Sequence, residues 1–154
     1  MDKTDICNIW FDYAIAFVDK KNDSGWDAMT PEEQEITALW LLEVDLYNGG
    51  FIQFFCNWGE AAYHHAIRAL QAIGAVYALD IIQSEYACIE RLSGDKRLTE
   101  LWDIPQFLTE EEIERLDKLD KQFWEDPDQI AEKAHRYYVE QMGIHIPSPE
   151  PFMI

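Results

Sequence analysis

Residues 30–58, TPEEQEITALWLLEVDLYNGGFIQFFCNW, decide the fold class. Thr30-Pro31-Glu32-Glu33 opens the stretch as a capping box with proline at the first helical position. The threonine hydroxyl is set to accept from the Glu33 N–H, and the Glu33 carboxylate to reach back. Behind it Ile36, Leu39, Trp40, Val44 and Tyr47 recur at helical spacing as one apolar stripe. The stripe stops at Asn48-Gly49-Gly50, where glycines permit the left-handed backbone of a sharp helix exit. Phe51, Phe54 and Phe55 follow at once and are placed to plug a core beneath that turn. Asn48 and Gln53 are placed to satisfy backbone groups of the loop, a ligand pocket lined by Gln53 and Asn57 being the alternative.

Outward from this stretch the pattern stays helical. Toward the N-terminus, Ile6, Ile9, Trp10, Tyr13, Ala14 and Phe17 predict an amphipathic helix over 5–18, followed by a polar loop over 20–29. On the other side, residues 51–58 predict a short aromatic helix or turn that Gly59 separates from a helix over 60–73. Gly74 breaks the path before an apolar helix over 75–92. Residues 93–108 carry mixed signals, with Gly94 and Pro105 as breakers. Thr109 to Glu112 is a second capping box, opening a helix that reaches Trp124, and Asp126-Pro127 opens the last helix, which Gly143 ends. No segment alternates as a strand does. The expected architecture is all-α, a single compact domain of about six to seven helices over 1–145, with residues 146–154 as an extended proline-containing tail.

The 154 residues carry 30 Asp and Glu against 12 Lys and Arg, a formal net charge of -18. Direct binding of nucleic acid or an anionic membrane needs a cationic surface, so both are disfavoured, and a basic protein is the natural partner. The N-terminus lacks a secretory pattern and no run of about 18 apolar residues occurs, which predicts a cytoplasmic protein. Cys7, Cys56 and Cys88 form no CxxC and fall among apolar residues, as reduced core thiols do. A di-iron bundle needs two E-x-x-H pairs, and only Glu132 with His135 is present; His64 and His65 are adjacent and point about 100° apart. No HExxH, GxSxG, Walker or GxGxxG string occurs. Neither a cofactor, a metal nor a catalytic residue is expected.

The carboxylates divide by position. Glu43 falls in the middle of the apolar stripe, where it needs a partner or a proton, and the expected partners are the N–H groups of the 48–51 turn or His64 or His65. Asp45 is placed on the opposite, polar side. In the helix after Thr109, Glu111 with Arg115, Glu114 with Lys118 and Asp117 with Lys121 neutralise one another at i,i+4. From Asn22 to Ile67 there is no Lys or Arg, while Asp23, Asp27, Glu32, Glu33, Glu35, Asp45 and Glu60 accumulate around Glu43. These seven are the candidate partner-binding face, a plain solvated surface being the alternative. Helical neighbours lie about 5 to 6 Å apart, a spacing that permits imitation of a phosphate row.

Glu43, Asn48-Gly49-Gly50-Phe51, Gln53-Phe54-Phe55 and Asn57, followed by a helix reaching Ile73-Gly74-Ala75, resemble the motif of a family of small, acidic bacterial helical domains. The resemblance covers residues 30–92. The best understood branch of that family consists of DNA mimics, dimeric proteins that occupy the DNA-binding surface of a transcription regulator. The resemblance therefore implies a homodimer and a basic DNA-binding protein as partner, and Trp10, Trp102, Trp124 and Phe152 are surplus aromatics for an apolar dimer contact. Two rival readings are an immunity or antitoxin-like protein masking a cationic toxin, and a small enzyme built on Glu43, Gln53 and His64 or His65.

Overall fold

Each of the two capping boxes starts a helix. Thr30 Oγ1 accepts from Glu33 N at 3.2 Å while Glu33 Oε1 accepts from Thr30 N at 2.9 Å; Thr109 and Glu112 repeat the exchange. In the computed structural model, which describes residues 2–147, the helices are α1 (Lys3–Ser24), α2 (Pro31–Asn48), α3 (Phe51–Ile73), α4 (Val76–Ile89), α5 (Glu110–Trp124) and α6 (Ile130–Ala134). The last continues without a break into a wider π turn, His135–Gln141. Short 3-10 segments at Trp26–Ala28, Glu90–Leu92 and Leu101–Phe107 join them, and the described residues hold no strand. The protein is all-α.

α2 and α3 form the central hairpin, α1 packs on α2 and α6, and α4 packs on α3 and α5. Between them lie Trp10, Phe17, Leu42, Phe54, Phe123 and Tyr138, all essentially inaccessible to solvent. Burying such side chains stabilises by roughly 1.5 to 3 kcal/mol each before the entropy of ordering is subtracted.

Three boundaries differ from the sequence reading. α1 runs on to Ser24 because its polar last turn finds partners: Lys20 Nζ lies 2.9 Å from Glu33 Oε2, and Lys21 sits 4.4 Å from the Trp58 ring centre. Gly59, with φ 81°, kinks α3 but does not separate two helices. The last helix begins at Ile130 and not at Asp126-Pro127, since Asp126 and Gln129 both take positive φ and Asp126 Oδ1 instead accepts from Ile130 N at 3.0 Å. Of the expected tail, residues 148–154 and with them Phe152 lie outside the described residues. Among the described residues no helix is long and apolar enough to cross a membrane.

Candidate partner-binding surface

The glycine turn is built as a tight corner. Asp45 O accepts from both Gly49 N and Gly50 N at 2.8 and 2.9 Å. Only Gly50 needs the left-handed region, with φ 89°; Gly49 has φ -144°. Gly49 is small for another reason, because a Cβ there would collide with the Gln53 side-chain oxygen, and one at Gly50 would collide with the Asp120 carboxylate. That same Asp120, from α5, accepts from Phe51 N at 3.1 Å and so satisfies a first-turn donor of α3. Asp128 does the equivalent for α4, accepting from Ala78 N at 2.7 Å. Phe51, Phe54 and Phe55 are buried beneath the corner, and Asn48 Nδ2 reaches Gln53 Oε1 at 3.3 Å.

Several carboxylates of the expected acidic face are internal. Asp45 is only 6% exposed: Gln53 Nε2 donates to Oδ1 at 2.8 Å, and Trp58 Nε1 and Asn57 Nδ2 donate to Oδ2 at 2.9 and 3.3 Å. A wheel drawn for α2 alone sets Asp45 on its polar side, but α3 folds back over that side with three donors. Glu33 is buried in its capping box with Lys20; burial opposes its ionisation, yet the Thr30 N–H and the Lys20 ammonium hold its carboxyl below the usual range. Glu35 accepts from the Tyr138 hydroxyl at 2.8 Å and faces Arg68 Nε at 3.4 Å. These three belong to the interior bonding of the protein and not to an open face.

Glu43 is 4% exposed, and its hydrogen-bond donor is neither the turn backbone nor a histidine but Trp10 Nε1, at 3.2 Å from α1. Burial, with Asp126 adding repulsion and Trp10 opposing, pushes its carboxyl up to about 8. Trp10 is thus fully buried and no part of a dimer contact, whereas Trp102 and Trp124 are half exposed. A second internal acid, Glu85 of α4, escaped the sequence reading. It is fully buried with no hydrogen-bond donor to either oxygen, and burial together with the neighbouring Asp120 carboxylate pushes it up to about 11.

Asp23, Asp27 and Glu60 do lie on the surface, and Glu32 is partly covered. A further outward row lies on α1. Asp5, Asp12 and Asp19 are exposed on α1, and seven residues are close to two turns, so the three share one face with a rise of about 10.5 Å between them. Exposed Ile9 and Ile15 lie among them. The spacing is visible in the sequence, but Lys3, Lys20 and Lys21 bracket it and excluded it from the base-free stretch. Lys20 and Lys21 turn to Glu33 and to the Trp58 ring, which leaves the aspartate row unopposed along most of α1.

An all-helical acidic protein, with a glycine corner stapled by buried Asp45 and an outward aspartate row, is the class of protein these features define. The DMP19-like protein family matches the chain over residues 27–142, and the chain belongs to that family. The match covers α2 to the π turn and leaves out α1. No curated protein and no solved structure matches the chain.

Proposed function

We propose that this protein is a non-enzymatic, cytoplasmic binding protein that imitates duplex DNA and occupies the DNA-binding surface of a basic protein such as a transcription regulator. The observation that carries this reading is the row Asp5, Asp12, Asp19. Its repeat of about 10.5 Å is close to three phosphate steps of about 3.4 Å along a DNA strand. Asp23, Asp27 and Glu60 add further exposed carboxylates, and the net charge of -18 steers a cationic partner toward the protein. The family resemblance around Asn48 to Phe55 supports the same reading. A homodimer contact is proposed at the exposed apolar side chains Tyr47 and Trp124, which adjoin through Phe123 at the ends of α2 and α5.

Affinity capture from a lysate tests the proposal. The expected result is retention of a basic DNA-binding protein at low salt, steep loss as salt rises, and release by added duplex DNA. Capture that ignores both salt and DNA contradicts it.

A further inference from the structure

Between the kink of α3, the end of α4 and the connection to the Leu101–Phe107 segment lies a cleft of about 420 Å³. Its floor is apolar: Phe55, Ile89, Leu92, Leu98, Leu101 and Ile104. Its charged rim is wholly acidic, with Glu60, Asp95 and Glu100 and no Lys, Arg or His. Gly59 makes one wall possible, since a Cβ there would come within 3.3 Å of Leu101 Cδ1.

The rim acids are not equivalent. Asp95 is neutralised by Arg97 at 2.7 Å. Glu60 has no Lys or Arg partner among the described residues; its Oε1 accepts from Tyr86 Oη at 2.9 Å and Ser93 Oγ at 3.2 Å, while Oε2 accepts from no described donor. Tyr86 is itself stacked on Tyr63, with ring centres 4.1 Å apart, so the hydroxyl that orients Glu60 is fixed. An oriented carboxylate with one open oxygen, above an apolar floor of ligand size, selects for charge and shape together.

The geometry points to a binding site for an amphiphilic amine: an apolar body lies against Phe55, Leu98 and Ile104, and one ammonium group donates to Glu60. Anionic compounds are repelled by the rim, and neutral ones leave Glu60 Oε2 without a cation. The site is distinct from the α1 face and does not depend on DNA mimicry.

Phenethylamine, 2-phenylethanol and 3-phenylpropionate, titrated into the full chain at physiological ionic strength and followed by NMR, separate the terms. The amine is expected to shift signals of Phe55, Tyr86 and Leu98, the alcohol to bind about tenfold more weakly, and the carboxylate not to bind. Glu60→Gln keeps an acceptor for Tyr86 and Ser93 on an exposed side chain, so the fold persists; amine affinity should fall about tenfold and alcohol affinity stay unchanged. Absence of amine binding, equal binding in Glu60→Gln, or shifts scattered over the acidic surface would overturn the assignment, the last two by showing only non-specific attraction.

Discussion

Replacing Asp45 with alanine is expected to lower the unfolding free energy by about 3 kcal/mol or more, a large share of the stability of a domain this size. The carboxylate accepts from Gln53, Asn57 and Trp58, and its own backbone oxygen closes the Gly49-Gly50 corner. Truncation strands these donors, each at a cost of about 1 to 3 kcal/mol where water cannot replace the acceptor. Asp45→Asn keeps one acceptor oxygen but turns an amide toward the remaining donors, so an intermediate loss is expected. Urea unfolding decides the matter: a change below about 0.5 kcal/mol for Asp45→Ala would place the side chain in solvent.

Stability should also fall as pH rises from 5 to 8, against the usual behaviour of proteins stabilised by ionised carboxylates. Burial raises Glu43 to about 8 and Glu85 to about 11, so the folded state holds protons that the unfolded chain releases near the ordinary Glu value. The contribution of each is therefore complete below that ordinary value and is lost as pH climbs toward the raised one. The slope is up to about 1.4 kcal/mol per pH unit for each group. In the other direction, Glu33 and Glu112, both held below the usual range, withdraw stability in acid as they protonate. Glu85→Gln supplies a permanently neutral side chain of similar shape. It should match the parent near pH 5 and exceed it at pH 8, by a difference on the order of 4 kcal/mol. Parallel pH profiles of melting temperature for parent and variant would show that Glu85 is ionised in the folded protein.

Local rules made the helices legible, and long-range packing hid the roles of the acids. Thr30 with Glu33 and Thr109 with Glu112 marked two helix starts because a capping box closes within four residues. Gly50 and Gly74 marked two exits because their backbone is left-handed. The burial of Glu43 follows from its own stripe. Its partner does not, since Trp10 lies 33 residues away on another helix. Asp45 and Asp120 were illegible for the same reason: the donors of the first come from α3, and the second caps a helix 69 residues away in sequence. The absence of Lys and Arg between Asn22 and Ile67 was a poor guide to which carboxylates are exposed. It gathered Glu33, Glu35 and Asp45, which the fold draws inward, and passed over the seven-residue repeat of α1. Charge reversal at Glu35 or Asp45 should therefore unfold the protein before it tests any partner.

The α1 row gives the cleaner test. Asp5, Asp12 and Asp19 are exposed, so the combined variant Asp5→Lys, Asp12→Lys, Asp19→Lys should melt close to the parent temperature. In a gel-shift competition with a DNA-binding protein captured by the parent, the parent is expected to displace DNA, and the triple variant to need at least about tenfold more protein for the same displacement. Equal displacement by parent and variant would contradict the assignment of the α1 aspartates as the DNA-like face.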